Sequence, residues 1–221
     1  AWSGLLMNED FESIFEINER LNRAGLDSIS AGGAVAFAIE CFENGLISLE
    51  DTGGLELRWG NTQAIRALLE LIIRREGIGD LLADGSKQAA RRLGIGSTAY
   101  TVHAGGQELA MHDGRNDPGF VLHAAVEATP GRHTLGSYQY YEMFQLWTRV
   151  KSAPRVRPRF YHKSTKYRAD EEKAQWAAQC SRFSAVLNAA GACLFGALIG
   201  VQRLPIFEWL NAATGLEKTP D

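Results

Sequence analysis

Apolar residues recur at steps of three and four positions along most of this chain, the spacing that puts them on one face of an α-helix. Four such runs follow one another, at residues 11–25, 30–45, 61–77 and 80–94. Each run closes on a glycine that can end a helix, and Ser30 and Asn61 are suited to cap the second and third. Successive amphipathic helices predict a helical domain, because each must bury its apolar face against another element.

The pattern changes after Gly94. Glycines and a proline punctuate residues 96–120, so we place a domain boundary near residue 100 and predict two domains, 1–100 and 101–221. Helical spacing returns at residues 120–128, 138–150, 170–190 and 205–213. Short strands are indicated only at 55–59 and 98–102. The predicted fold class is all-α, multihelical, with two helical domains and little or no sheet.

The composition is that of a soluble globular protein, with 221 residues, 45% of them hydrophobic, and a formal net charge of −3. A chain of this size can bury a substantial core, which excludes disorder for most of it. No apolar run is long enough to span a bilayer and no secretory signal opens the sequence, so we expect a cytoplasmic protein. Three widely spaced cysteines argue against a disulfide framework.

Two segments share the pattern Asn-x-Ala-Gly-x-(Asp or Cys), each at the end of a predicted helix. We call residues 22–27 the first corner and residues 188–193 the second corner. Asn one turn before a C-terminal glycine lies on the flank of the helix end, and the glycine turns the next backbone groups toward the same place. Two such corners can grip a heterocycle from two sides, although ordinary helix capping explains either one alone.

Cys193 is the last residue of the second corner and lies in a glycine-rich sequence. A thiol in this position can ligate an iron–sulfur cluster, which four thiolates hold as a rule. The alternative is a small buried apolar side chain, since free cysteines are among the most buried residues. Cys41, on the apolar stripe of the second predicted helix, is assigned to the core.

Two loops combine histidine with arginine. Arg132 and His133 follow a Pro-Gly pair between two predicted helices, and residues 112–115 read His-Asp-Gly-Arg. Loops on a rigid scaffold often carry catalytic groups, and histidine exchanges a proton near neutral pH. A solvated histidine beside an arginine is the alternative.

Residues 149–168 contain eight basic side chains and no carboxylate: Arg149, Lys151, Arg155, Arg157, Arg159, Lys163, Lys166 and Arg168. Aromatic residues are interleaved with them. This composition is typical of a phosphate-binding strip, so a non-enzymatic helical module that binds nucleic acid or an acidic partner is the alternative function.

Four strings are distinctive in combination: NRAGLDSISAG at 22–32, AFAIEC at 36–41, REGIGDLLADG at 75–85 and LNAATG at 210–215. Together they resemble the tungsten-dependent aldehyde:ferredoxin oxidoreductase family, over most of the chain and least between Trp147 and Lys173. The resemblance implies the two helical domains of that family without its β-rich N-terminal domain. The C-terminal Thr-Pro-Asp, which has the order of a helix start, agrees with a chain cut from a longer protein.

In that family, two motifs of the form Asp-x-x-Gly-Leu-(Asp or Cys) bind the two pterins of a tungsten cofactor, and the second motif's cysteine is the fourth ligand of a 4Fe-4S cluster. By resemblance the cofactor-binding residues are Asn22, Gly25, Leu26, Asp27, Asn188, Gly191 and Ala192, and the cluster ligand is Cys193. Asparagine replaces the usual aspartate in both motifs, which keeps one acceptor but removes the charge and adds donors. The metal is tungsten or molybdenum.

The resemblance also implies an activity. His133 is the expected catalytic residue, and Asp113, Arg115 and Arg132 are expected to line the substrate channel. The full-length enzyme is expected to oxidise a small aldehyde or oxo compound to a carboxylate and to pass electrons through the cluster to ferredoxin. The 221-residue chain alone should be inactive, because part of the cofactor site and three cluster thiolates belong to the missing N-terminal domain. No membrane partner is implied, and homo-oligomer formation stays open.

Overall fold

The computed structural model describes residues 1–94, 96–133, 140, 145–151, 155, 165, 167–192 and 205–221. Among these residues it contains eight α-helices and one two-stranded sheet, so the predicted all-α fold class is confirmed. The chain divides into two compact units. Unit 1 consists of Ala1–Met111 with Ala128–Gly131, and unit 2 of His112–Glu127 with Arg132–Asp221.

The helices are α1 (Phe11–Ala24), α2 (Ser28–Glu43), α3 (Thr62–Arg74), α4 (Ile78–Leu82), α5 (Ser86–Leu93), α6 (Pro118–Val126), α7 (Glu171–Ala189) and α8 (Ile206–Thr214). Short 3₁₀ turns occur at Ser97–Tyr100 and Leu146–Thr148. Strands β1 (His103–Ala104) and β2 (Gln107–Glu108) form an antiparallel hairpin. Side chains that favour helix starts cap several of these helices, Asp10 for α1, Asn61 for α3, Asp117 for α6 and Asp170 for α7.

Helix α2 begins earlier than the sequence analysis predicted. The Oδ1 atom of Asp27 accepts hydrogen bonds from the backbone N–H groups of Ile29 and Ser30, at 3.0 and 2.7 Å. Asp27 is therefore the N-cap, and Ser30 lies inside the first turn. The prediction of Ser30 was wrong because aspartate is at least as good a cap and precedes it by one turn.

The third and fourth predicted helices also differ from the structure. Helix α3 ends at Arg74, and its C-cap residue Arg75 takes the left-handed conformation with φ of 53°, two residues before Gly77. The predicted helix at 80–94 is two helices, α4 and α5, separated at Gly85, where φ is 86°. The apolar spacing continues across this break because both helices pack against the same core. The hydrophobic periodicity therefore does not reveal the break.

Both predicted strands are wrong. Residues 97–100 form a 3₁₀ turn and residues 55–58 have no regular structure, while the observed strands lie in a hairpin at 103–108. Helix α6 starts two residues before the predicted 120, with Pro118 in its first turn. The predicted helix at 138–150 lies largely outside the described residues, and residues 219–221 are not helical.

The core of unit 1 is built from the apolar faces of α1 to α5. Its largest fully buried side chains include Leu6, Ile17, Leu21, Ile39, Ile65, Leu68 and Leu82. Cys41 is buried in it, as assigned, and burial raises the pKa of its thiol to about 11. Within the described part of the chain, no single helix could cross a membrane, and the one pair that passes by length and composition, α1 with α2, is bent by 115°.

The described core of unit 2 is smaller and surrounds α7. Tyr140, Leu146, Cys180 and Leu187 are its buried members. Phe120, Trp176 and Ile206 are among the half-buried side chains that pack against them. Helix α7 therefore organises unit 2, and its C-terminal end carries the second corner.

Candidate functional site

The two corners have the same backbone geometry. At the first, the N–H of Gly25 donates to the carbonyl of Asn22 at 3.3 Å, and the N–H of Leu26 donates to the carbonyl of Leu21 at 3.0 Å. At the second, Gly191 donates to Asn188 at 3.0 Å and Ala192 donates to Leu187 at 2.8 Å. Both glycines are left-handed, with φ of 70° and 72°. This pair of backbone hydrogen bonds defines a Schellman turn.

A Schellman turn is not specific to a ligand site. The same pair of bonds ends α2 at Gly45 and α3 at Arg75. The corners differ from these two helix ends in having asparagine three residues before the left-handed position. The backbone of the corners is therefore ordinary capping, and any specificity for a ligand must come from their side chains and exposed main chain.

The residue that follows the glycine packs against a core in each corner. Leu26 and Ala192 are half-buried and pack against the cores of unit 1 and unit 2, respectively. An apolar contact at this position usually accompanies the Schellman turn. These two residues thus fix the corners, and only their backbone is placed to meet a ligand.

At the first corner, the side chains have separate tasks. Asn22 is exposed, and its amide makes no hydrogen bond within the described residues. Asp27 caps α2 through Oδ1, as described above, and remains exposed. A Cβ atom built on Gly25 would have no atom of the described residues within 4 Å, so these residues leave the surface beside the corner open.

At the second corner, the asparagine side chain accepts a hydrogen bond. The Nη2 atom of Arg132 donates to Oδ1 of Asn188 at 2.8 Å. Arginine is only a donor, so this bond turns the amide N–H groups of Asn188 away from Arg132. A predicted channel residue and a predicted cofactor-binding residue, 56 positions apart, are therefore in direct contact.

The loop that carries Arg132 and His133 starts from a fixed point in unit 1. The N–H of Gly131 donates to Oε1 of Gln107 on β2 at 3.0 Å. A Cβ atom at position 131 would lie 2.6 Å from the carbonyl oxygen of Glu108, so only glycine fits against this strand. Glu108 is itself buried and accepts hydrogen bonds from the N–H and the hydroxyl of Ser86 at the start of α5.

His133 lies beside His112, which belongs to the candidate loop at 112–115 but was given no role of its own. The ring centroids of His112 and His133 are 5.1 Å apart, with 36° between the ring planes. His112 stacks on Phe120 of α6, at 4.2 Å and 18°. The sequence signals for His112 are its place immediately before the predicted channel residue Asp113 and its loop, which combines histidine with arginine as the His133 loop does.

Two more buried rings fix the backbone of the His133 loop. The phenol O–H of Tyr140 donates to the carbonyl of His133 at 3.2 Å, and the Nε2–H of His123 donates to the carbonyl of Arg132 at 2.6 Å. His123 and Tyr140 are 3% and 7% exposed. Burial raises the pKa of Tyr140 to about 12, so it stays a neutral donor at physiological pH.

The other two predicted channel residues pair with each other. The Arg115 guanidinium makes a bidentate contact with the Asp113 carboxylate, the shortest N–O distance being 2.7 Å. The Arg115 backbone carbonyl accepts a hydrogen bond from Tyr167. The hydrogen bonds that Arg115 donates to the Asp113 carboxylate raise the pKa of Arg115. Both side chains are exposed, so the pair stiffens the loop while leaving it accessible.

The donor set of the corners fits a pterin, whose rings carry both N–H donors and oxygen and nitrogen acceptors. The corners offer two amide side chains, which donate and accept, beside exposed helix-end backbone. Cys193 lies outside the described residues, so its assignment to a cluster stays a prediction. Among the described residues, no group of three His, Cys, Asp or Glu side chains is placed to bind a metal.

The basic segment 149–168 is described only in part. Outside the described residues lie Arg157, Arg159, Lys163 and Lys166. Arg168 pairs with Asp170, its Nε lying 3.2 Å from the carboxylate. Binding of nucleic acid or an acidic partner by this segment stays a prediction, and no described contact favours it.

Comparison with known proteins identifies the family. The family described as aldehyde ferredoxin oxidoreductase, domains 2 and 3, matches residues 1–221. The tungsten-containing aldehyde ferredoxin oxidoreductase of Pyrococcus abyssi is 32% identical over 209 residues, which are 93% of this chain and 32% of that protein. The corresponding protein of Pyrococcus horikoshii is 30% identical over 96% of this chain.

Two further relatives differ in name. A Pyrococcus furiosus protein named aliphatic sulfonate oxidoreductase, WOR-like subunit, is 36% identical over 56% of this chain. The active-site complex BamBC of benzoyl coenzyme A reductase, solved with 1,5-dienoyl-CoA, has the same fold, with a TM-score of 0.66 and 21% identity over 96% of this chain. This chain spans about a third of the length of the curated relatives that match nearly all of it. It belongs to the aldehyde ferredoxin oxidoreductase family of tungsten pterin oxidoreductases and corresponds to domains 2 and 3 of that family.

Proposed function

We propose that this chain is the helical part of a tungsten or molybdenum bis-pterin enzyme that oxidises a small aldehyde or oxo compound to a carboxylate, with ferredoxin as electron acceptor. Its curated relatives are about three times as long. The rest of the protein would supply the N-terminal domain, the remainder of the pterin site and three cluster thiolates. The 221-residue chain by itself would then be inactive.

The hydrogen bond from Arg132 to Asn188 carries this proposal. Arg132 precedes the proposed catalytic His133, and Asn188 opens the second corner. A histidine that handles a proton during oxidation must be close to the cofactor, since proton transfer requires hydrogen-bond reach. The contact supports one shared site because it joins two segments to which the family resemblance gives separate roles.

The bound metal would supply the two-electron oxidation, and the protein would bind and orient the reactants. Asn22 and the backbone at Gly25 would hold one pterin. Asn188 and the backbone at Gly191 would hold the other. Cys193 would complete the iron–sulfur cluster that leads to ferredoxin.

His133 would take up a proton released when an aldehyde and water become a carboxylate. Its backbone is fixed by Tyr140, and its ring faces His112, which Phe120 holds by stacking. This arrangement gives His133 a neighbour to which the proton can move.

The exposed loop at 113–115 would select the substrate. The Asp113–Arg115 pair fixes its shape, and Arg132 lies at the second corner. Charged side chains at a channel entrance attract polar or oppositely charged ligands. An apolar entrance would not attract them.

Replacing His133 tests the proposal in the full-length enzyme. We expect His133→Ala to lower kcat by about 10²- to 10⁴-fold, the usual contribution of a general acid or base. Tungsten content by plasma mass spectrometry should stay unchanged, because His133 is not proposed as a ligand. His103→Ala in unit 1 is the control and should retain activity; a fully active His133→Ala enzyme would refute the catalytic role.

The cluster assignment needs its own experiment. Cys193→Ser in the full-length protein should lower the iron content and abolish reduction of ferredoxin, while Cys41→Ser should change neither. Unchanged iron in the Cys193 variant would remove this residue from the cluster.

A further inference from the structure

Unit 2 contains a cavity that the proposed function does not use. Its volume is about 180 Å³, and it lies between one face of α7, the start of α8 and residues 146–150. The apolar part of its lining includes Leu146, Phe183, Val186 and Ile206. A dry cavity of about 150 Å³ with such a lining accepts benzene, so this one has room for a group of that size.

Three polar side chains of the lining have a polar group without a partner among the described residues. Arg149 and Arg182 both line the cavity, and within the described residues neither guanidinium has a hydrogen bond or an ion pair. The Oε1 atom of Gln179 is buried and has no hydrogen-bond partner. Asp221 is the acidic residue of the lining, so the two arginines leave the lining residues with an excess of positive side chains.

A buried amide without a partner is unfavourable, and a ligand can satisfy it. Rotating the Gln179 amide exchanges its oxygen and nitrogen, so that it donates an N–H to an acceptor in the cavity. Arginine is the side chain best matched to a carboxylate, through two parallel hydrogen bonds. The polar groups therefore match an anionic acceptor, and the apolar walls match a hydrocarbon group.

The cavity is distinct from the second corner. Gln179, Arg182 and Val186 follow one another at helical spacing on one face of α7. At about 100° per residue, Asn188 lies about half a turn around the helix from Gln179. The corner and the cavity thus occupy opposite faces of α7.

We propose that this cavity binds a small monocarboxylic acid with an apolar group of about the size of benzene. The guanidiniums of Arg149 and Arg182 and the Gln179 amide bind the carboxylate. The side chains of α7 and α8 enclose the apolar group.

Benzoate is the probe, and the full-length protein is the sample. Isothermal titration calorimetry measures its binding without turnover, so the outcome does not depend on the proposed activity. Arg149→Gln and Arg182→Gln should each weaken benzoate binding by about tenfold or more, since a charge-assisted hydrogen bond is lost. Arg91→Gln on α5, an exposed arginine of unit 1, is the matched control and should bind like the unmodified protein.

Two other probes separate charge from apolar contact. Benzyl alcohol should bind at least tenfold more weakly than benzoate, and so should inorganic phosphate. The proposal is overturned if benzoate does not bind, if both arginine variants bind it normally, or if phosphate binds as tightly. Equal weakening in the Arg91 variant would also overturn it, because the effect would then be one of net charge.

Discussion

The first and second corners are alike in backbone and different in how their asparagines are used. Both are Schellman turns with a left-handed glycine and an apolar residue packed on the core behind it. At the first corner, the Asn22 amide makes no described hydrogen bond, whereas at the second Arg132 binds the Asn188 amide. Asp27 of the first corner also caps the next helix.

This difference distinguishes features that depend only on neighbouring residues from features that depend on the tertiary fold. A Schellman turn needs only glycine, its neighbours and one apolar contact, all within six residues. The orientation of the Asn188 amide depends on a loop 56 positions away. Two segments with the same pattern can therefore have the same shape and different chemistry.

The largest expected effects come from the leucine behind each corner. Leu21 and Leu187 are 1% and 3% exposed. Leu21→Ala should destabilise α1 by about 3–5 kcal/mol, while Leu187→Ala should destabilise α7 by about 2–3 kcal/mol. The second value is smaller because Leu187 already borders a cavity and has fewer contacts to lose.

Hydrogen–deuterium exchange of the full-length protein, read on peptides from α1 and α7, measures both losses. Leu49→Ala, at an exposed position of unit 1, is the control and should stay within about 0.5 kcal/mol. Equal losses at both corners would contradict the different packing inferred here.

Replacing the two glycines should have smaller effects that are equal at both corners. Gly25→Ala and Gly191→Ala should each cost about 1–2 kcal/mol, the penalty for a left-handed residue with a side chain. Space is not limiting within the described part of the chain, because an added Cβ meets none of its atoms within 4 Å at either position. Gly4 is equally open but not left-handed, so Gly4→Ala should be neutral in the same exchange measurement. A much larger loss at one corner would indicate a packing constraint found only there.

The sequence predicted the turns well because their causes are local. Gly25 follows α1 and Gly191 follows α7, as the apolar spacing of each helix and the position of its glycine predict. Asn61 and Asp170 are the N-caps of α3 and α7. The errors concern competing local signals. The N-cap of α2 is Asp27 and not the predicted Ser30. The helix predicted at 80–94 is broken at Gly85, although its apolar spacing continues.

The candidate site was only partly predictable. His133, Arg132 and Asn188 were selected from motifs, but the contact between Arg132 and Asn188 was not. The loop of His112 was a candidate, but the stacking of His112 on Phe120 and its approach to His133 were not predicted. Long-range ring contacts leave no periodic signal in the sequence, so only the folded chain reveals them.

Replacing each corner asparagine by the aspartate of the family motif should change the stability of the two corners by different amounts. Asn188→Asp places a carboxylate against Arg132, and we expect a neutral effect or a gain of up to about 1 kcal/mol. Asn22→Asp adds a negative charge at a helix C-terminus without such a partner and should cost about 0.3–1 kcal/mol. Exchange at the last turns of α1 and α7 measures both. In an Arg132→Gln background, Asn188→Asp should become as unfavourable as Asn22→Asp; an unchanged value there would exclude Arg132 as the cause.

The smallest effect is a difference in acid sensitivity. The Arg20 guanidinium ties α1 to α3 by two hydrogen bonds to Glu70, at 2.7 and 2.6 Å, and lowers the pKa of that carboxyl. Because the pKa is lowered on folding, the stabilisation is complete above the ordinary value of 4.5 and is lost as the pH falls through the lowered value. The bond between Arg132 and the Asn188 amide has no acidic partner and does not titrate in this range.

Acidification below pH 4.5 should therefore speed exchange in α1 by about two- to fivefold, the modest effect of a half-exposed pair, and leave the last turn of α7 unchanged. Exchange rates corrected for their intrinsic pH dependence provide the measurement. Glu70→Gln should reduce the pH dependence of α1, because the amide cannot be protonated in this range, and should leave the part that is due to the Glu16–Arg66 pair. If both helix ends loosened together, acid would be acting on something common to the two units, and the ion pair would not be what distinguishes the first corner.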